Sequence, residues 1–131
     1  MRFLLDANAV IALLNEPTGR VSKRVRGHSP SDIGLSAIVM HELYFGAYKS
    51  RRREQNLALV DNLRLEVVAF DQEDARQAGE IRATLAALGV PIGAYDVLIA
   101  GQARARALTL ITRNLHEFTR VQDLRVENWD A

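Results

Sequence analysis

The chain contains no cysteine, which removes disulfide frameworks, thiolate zinc sites and cysteine nucleophiles together. Its three histidines, His28, His41 and His116, show no ligand spacing, so a zinc centre is not expected either. No apolar run approaches the roughly 18 to 20 residues that a membrane span requires. Excess charge is missing too. With 17 basic and 16 acidic residues the formal net charge is +1, so affinity for a polyanion must come from local basic clusters. Neither an internal repeat nor a low-complexity segment is present. What remains is 48% hydrophobic and 25% charged over 131 residues, which fits one globular domain, residues 1–131, with a real core. The missing cysteines also agree with a cytoplasmic location.

The opening M-R-F-L-L-D-A-N-A-V-I-A-L-L has the outline of a short secretion signal. Asp6, Asn8 and Asn15 interrupt the apolar segment, however, and no small-x-small cleavage site follows. It reads instead as a buried strand, residues 2–5, running into a helix over 6–14. A turn at residues 16–19 leads to a short basic helix near 19–27, then the H-S-P-S-D loop and a brief strand at 33–35. Ser36 suits the N-cap of a helix reaching about residue 50, because its hydroxyl can accept a bond from an orphan backbone N–H. A helix over 52–63, a strand near 66–69 and a long helix from its Asp71 cap to Leu88 follow, with Gly89 as the stop. Asp96 opens or nearly opens the next helix, to about residue 106. A strand at 108–111, a short helix near 114–118 and a last strand near 124–127 complete the chain. Strands separated by helices predict an α/β fold with a parallel, doubly wound sheet.

Ligands of such sheets bind beyond the carboxyl ends of the strands. Asp6 directly follows the first strand. Glu42 sits in the helix after the second, on a stripe shared with Ile38, Val39, Phe45 and Gly46, where a glutamate is out of place. Asp96 repeats the pattern among Ile99, Ala100 and Ala103. Asn114 and Glu117 follow the strand L-T-L-I-T. Each has an ordinary structural reading as well: Asp6 as a helix cap, Asn114 with Glu117 as a capping box, Glu42 as an arginine partner, Asp96 as a first-turn acid against the helix dipole. None of these accounts for their common position at one end of the sheet. Carboxylates gathered in one pocket repel and hold protons unless a cation compensates them. Oxygen ligands without cysteine or a placed histidine suit a hard ion, Mg²⁺ or Mn²⁺.

The segments F-L-L-D-A-N, S-A-I-V-M-H-E-L-Y-F-G-A, P-I-G-A-Y-D-V-L-I-A and L-I-T-R-N-L-H-E-F, in that order, resemble the PIN-domain ribonucleases, specifically VapC-type toxins of bacterial toxin–antitoxin pairs. The likeness runs nearly end to end, through the closing L-R-V-E-N-W. It implies a three-layer PIN-like fold with a central parallel sheet flanked by helices. It also implies a Mg²⁺- or Mn²⁺-dependent endoribonuclease that cuts a structured RNA such as tRNA. Asp6, Glu42 and Asp96 match the three acidic positions of the family. Many relatives carry aspartate in the next acidic segment, which Asn114 and Glu117 share here: Glu117 supplying charge, and Asn114 a neutral ligand or a supporting bond. Ser36 and Thr112 match polar positions that orient acids or water. The implied partners are a VapB-like antitoxin, a second copy in a homodimer, and operator DNA reached only through the antitoxin.

An acidic pocket repels RNA, so neighbouring cations must hold the phosphates. Candidates include Arg51, Arg52 and Arg53, together with Arg104 and Arg113; the alternative is that such runs are solvated helix faces. Two other acid-based enzymes fit less well. A haloacid-dehalogenase phosphatase wants a second acid two residues after the first, where this chain reads D-A-N. A receiver domain needs an acidic pair before its first helix and a lysine after its last strand. The alternative from another class is a catalytically inactive PIN-like scaffold that binds RNA or protein.

Overall fold

A computed structural model describes residues 1–131. Strand β1 (Phe3–Leu5) is wholly buried, as its unbroken apolar run requires of a central parallel strand. Helix α1 (Ala7–Asn15) follows at once, then α2 (Arg20–Arg26), a 3₁₀ turn at Pro30–Asp32, β2 (Ile33–Ser36) and α3 (Ala37–Lys49). Next come α4 (Arg53–Asp61), β3 (Glu66–Val68), α5 (Gln72–Ala87), α6 (Ala94–Ala105), β4 (Thr109–Ile111), α7 (Leu115–Phe118) and β5 (Val126–Glu127). All five strands are parallel, in the order β3-β2-β1-β4-β5. Leu5 aligns with Leu35 on one side and Ile111 on the other, so the three central strands end level. The residues next in register, Asp6, Thr112 and Ser36 at the end of β2, are therefore neighbours along one sheet edge.

The element order matches the sequence expectation, and the differences lie at ends. Helix α6 begins at Ala94 with Gly93 as its N-cap, which puts Asp96 at the third helical position rather than at the cap. The last strand is shorter than expected, Val126–Glu127. Asp71 caps α5 as anticipated and adds a reciprocal bond: its carboxylate accepts from Asp74 N–H while Asp74 accepts from Asp71 N–H. Gly89 stops that helix with φ +72°, a left-handed conformation that side chains resist.

The helices α5 and α6 form the tightest pair. A Cβ added at Gly101 would lie 2.5 Å from Ala78 N, so glycine is what permits this approach of two backbones. Buried Gln102 donates to the carbonyls of Val68 (3.2 Å) and Ala69 (3.1 Å), tying α6 to the end of β3. Arg106 grips buried Asp74 through two nitrogens, at 3.2 and 3.0 Å. Burial opposes ionisation of Asp74, but the guanidinium and the Asp71 N–H outweigh it and hold the carboxyl below its usual range. This rigid hairpin carries Asp96 to the sheet edge.

Candidate active site

Asp6 is buried, and its Oδ1 accepts from the Ala9 backbone N–H at 2.8 Å. The capping role and the pocket role thus belong to one side chain with two oxygens. Burial raises its carboxyl above the ordinary value. The Thr112 hydroxyl, the Ala9 N–H and the charge of Arg113 pull the other way without cancelling that rise. Thr112 is buried as well, and its Oγ1 accepts from Asn114 N–H at 2.9 Å. The same hydroxyl thus steadies the turn after β4 and acts on the acid after β1.

Ser36 caps α3, its Oγ accepting from Ile38 N–H at 3.0 Å. The helix buries Val39, Leu43 and Ala47, which turns Glu42 toward the sheet edge instead of into the core. Glu42 makes no ion pair with an arginine, and its Oε1 is buried with no hydrogen-bond partner. Leaving such an oxygen unpaired costs about 1–3 kcal/mol; Gln102 Oε1, behind α6, is left the same way, but only that of Glu42 lies among other acids. Burial raises its carboxyl, and the charges of Asp96 and Asp6 raise it further.

Asp96 is half-buried. Its carboxyl is pushed up to about 6, by burial first and then by the charges of Glu117 and Asp6. Asn114 makes no side-chain cap bond, contrary to the capping-box reading. Its Nδ2 donates instead to Glu117 Oε2 at 2.9 Å, holding the acid that presses on Asp96. Asp6, Glu42, Asp96 and Glu117 are thus one electrostatic group drawn from four separate segments. The carboxylates are close enough for their charges to act on one another without closing on a point, and no three form a ready-made ion cage. Uncompensated charges keep one another apart. The donor set still fits a hard divalent cation: all-oxygen ligands, raised carboxyl pKa values and one orphaned buried oxygen.

The basic candidates divide. Arg104 is mostly buried, with 12% of its side chain exposed, and its guanidinium is spent on Glu80 (2.9 Å), Gln77 (2.7 Å) and the Gln122 carbonyl (3.2 Å). It is a clamp between α6 and α5, not a phosphate ligand; sequence position on a helix could not reveal which neighbour would use its charge. Arg113 is exposed, 3.6 Å from Asp130, and close enough to act on Asp6. Arg51 and Arg52 are exposed in the turn after α3 with no acidic partner, while Arg53 donates to the Tyr48 carbonyl. His116 lies exposed beside Arg120.

Two features of the surroundings were not anticipated. His41 Nε2 and the Tyr95 hydroxyl meet at 3.2 Å, so the residues preceding Glu42 and Asp96 bridge α3 and α6. A groove of about 340 Å³ runs between α1, α3 and α4, lined by Ile11, Leu14, Leu43, Ala47, Leu59 and Val60, with Glu42 on its wall. The exposed apolar Ile11 and Leu59, on helices otherwise patterned for one buried face, were the available signal.

Residues 3–124 match the PIN domain family. The tRNA(fMet)-specific endonuclease VapC of Salmonella typhimurium is 40% identical, covering 98% of both chains; its namesake in Shigella flexneri is 37% identical over the same shares. Among solved structures, the DNA-bound VapBC of Salmonella typhimurium superposes with a TM-score of 0.93 at 40% identity, covering 98% of each chain. VapBC2 of Rickettsia felis, bound to a promoter fragment, gives 0.91 at 34% identity, covering 99% of this chain and all of that one.

Proposed function

The chain belongs to the PIN domain family, in its VapC group, and on that footing we propose that it is a Mg²⁺- or Mn²⁺-dependent endoribonuclease toxin restrained by a VapB-like antitoxin. The ribonuclease activity rests on the relatives, which are VapC nucleases across their full length. The observation that carries the chemistry is the unpaired buried Oε1 of Glu42, beside Asp6 and Asp96, the three acids whose protons are held abnormally tightly.

Asp6 and Asp96 supply the principal oxygen donors for the ion. When bound, the ion polarises the scissile phosphate and makes a water acidic enough to attack at neutral pH. The Ala9 N–H holds one oxygen of the Asp6 carboxylate, and the Thr112 hydroxyl favours its charged form, so its orientation does not depend on substrate. Glu42 offers its free oxygen to a proton of the attacking water. Asn114 restrains Glu117, which adds charge beside Asp96. Water adds to phosphorus as the P–O3′ bond breaks, which yields a 5′-phosphate and a 3′-hydroxyl, with the 2′-hydroxyl a bystander.

The substrate assigned is a structured RNA, tRNA first, following the activity named for the Salmonella and Shigella relatives. The apolar groove between α1, α3 and α4 suits one face of an amphipathic helix, and an antitoxin segment laid there would reach Glu42 at its wall. A homodimer, and operator DNA reached through the antitoxin, complete the assembly; the Salmonella and Rickettsia VapBC structures contain DNA.

Purified protein incubated with total RNA, with Mg²⁺, Mn²⁺ or EDTA, tests this directly. Cutting is expected only with the divalent ions, giving 5′-phosphate ends, and it should survive replacement of the 2′-hydroxyl at the cut by hydrogen. Products ending in 2′,3′-cyclic phosphate would sink the water mechanism.

A further inference from the structure

The turn after β4 sets an arginine beside the acidic pocket and gives it a competing partner outside. Arg113 follows Thr112, which is buried on the sheet edge, and precedes Asn114, whose N–H is bonded to the Thr112 hydroxyl. Both neighbours are pinned, so the backbone at Arg113 is held while its side chain stays 57% exposed. On one side its charge acts on Asp6. On the other its Nη1 stands 3.6 Å from Asp130 Oδ2, too long for a hydrogen bond, with both partners open to water. Such a pair contributes little to stability. Nor does the segment carrying Asp130 need it. Trp129 is buried, edge-on to Phe3 with ring centres 4.9 Å apart and stacked on His28 at 5.2 Å. Asp130 N–H donates to Asn128 Oδ1 at 2.9 Å, and its carbonyl accepts from Arg20 at 3.5 Å. The Asp130 carboxylate is thus presented to Arg113 by a segment that is anchored elsewhere.

We infer that Arg113 is the residue that grips an RNA phosphate at the pocket, and that Asp130 is its resting counter-ion, displaced when the phosphate arrives. The inference rests on the ribonuclease reading and adds to it the group that holds substrate against the acids. Charge requires such a group, because a polyanion does not settle among carboxylates without a cation beside it. Other arginines of this half of the chain are committed. Arg104 is spent on α5, Arg106 on Asp74, and Arg120 donates to the Pro91 carbonyl at 3.1 Å. Arg113 combines an exposed guanidinium with a charge that reaches a pocket acid. A phosphate can take two parallel N–H bonds from a guanidinium, whereas Asp130 offers one contact at 3.6 Å, so the exchange runs toward RNA. Asp130 also has a use before RNA arrives. A guanidinium resting wholly on Asp6 would compete with a divalent ion for the same oxygens. An acid outside the pocket that draws the guanidinium away leaves Asp6 for the ion. The consequence is that Asp130 and the RNA compete for one side chain.

Initial cleavage rates of the full-length protein in Mg²⁺, against the concentration of an RNA that the parent cuts and at several salt concentrations, test this. Arg113→Ala should raise KM about tenfold with kcat changed far less. The salt dependence of KM should flatten by one phosphate contact, roughly 0.7 to 0.9 in slope. Arg113→Lys keeps the charge without the fork, so it should restore the slope and only part of the affinity. Asp130→Asn should lower KM about threefold, the scale of an exposed ion pair, and leave the melting temperature unchanged. With Arg113→Ala already in place, Asp130→Asn should change nothing, because the group it competes for is gone. An unchanged KM in Asp130→Asn would reduce the pair to a surface contact. A fall in KM of the same size with and without Arg113 would make Asp130 only a charge that repels RNA. A loss confined to kcat in Arg113→Ala would make Arg113 a balance for the acids. Each of these overturns the inference and, with the parent cutting normally, leaves the ribonuclease reading standing. No metal-dependent cutting by the parent discards that reading, and the inference with it.

Discussion

A carboxylate at the end of a buried strand can cap a helix or serve a site, and Asp6 has an oxygen for each, because the cap uses only one of its two. Oδ1 closes the first turn of α1, and the carboxyl stays above its ordinary value because burial dominates. Asp96 has no capping bond to lose, so the two acids respond differently to neutralisation. Asp6→Asn and Asp96→Asn should each lower cleavage by orders of magnitude. Without divalent ions, Asp96→Asn should also melt above the parent, since it removes a charge that Glu117 and Asp6 oppose. Glu117→Gln should cost more activity than Asn114→Ala, because the amide of Asn114 steadies Glu117. The reverse ranking in a cleavage assay would give Asn114 the ligand role. At this scale the three first acids were legible in the sequence because each interrupts an apolar stripe. The division between Asn114 and Glu117 was not, since the same three-residue spacing serves a capping box equally well.

Element by element, the sequence announced where helices start and stop more clearly than how they pack. Asp71, Gly89 and Ser36 are local signals, and each acts where its chemistry suggests. The partners of Arg104 and Arg106 lie on α5, some 24 to 35 residues away, so their ion pairs depend on a docking that no local pattern encodes. Gly101 likewise looks like a weak point in α6 until α5 lies against it. Alanine normally favours a helix over glycine by about 1 kcal/mol. At Gly101 the added carbon would meet Ala78 N at 2.5 Å and Ala78 Cα at 2.6 Å, so the hairpin must open. Overpacking of this kind costs about 1–3 kcal/mol. Gly101→Ala should therefore lower the melting temperature by several degrees, and should lower activity by displacing Asp96 at the head of the same helix. Gly79, in α5, has nothing within 4 Å of its would-be Cβ, and Gly79→Ala should raise the melting temperature. If both variants moved the same way in thermal melts, the close approach of α5 and α6 would not be what Gly101 serves.

Over the whole molecule, the site and the α5–α6 clasp titrate in opposite senses, and their sum should shape stability against pH. Asp96 is raised to about 6, and Asp6 and Glu42 are raised as well. Between the ordinary carboxylate range near pH 4 and about pH 6, the folded protein holds protons that the unfolded chain has released. Stability must then fall as pH rises through that window, so the ion-free protein should melt higher at pH 5 than at pH 7. Asp74 works the other way. Its folded value lies below the ordinary one, so its contribution is full above about pH 4 and is lost as pH falls through the folded value. An optimum between these limits follows. A divalent ion bound only by the folded state opposes the first trend, because it rewards ionised carboxylates. At about 10 mM Mg²⁺ and an assumed dissociation constant of about 1 mM, the gain at pH 7 is roughly 1.4 kcal/mol. In a chain of this length that raises the melting temperature by about 3–6 °C. At pH 5 the ion must first displace protons, so the gain there should be smaller and the difference between the two pH values should shrink. Asp96→Asn should flatten the ion-free trend and respond less to Mg²⁺, which separates the site from the other titrating groups. Calorimetry at the two pH values, with EDTA and with Mg²⁺, reads all of this at once. An ion-free protein equally stable at pH 5 and pH 7, with no response to Mg²⁺ at either, would mean that the four acids are not a coupled cation site.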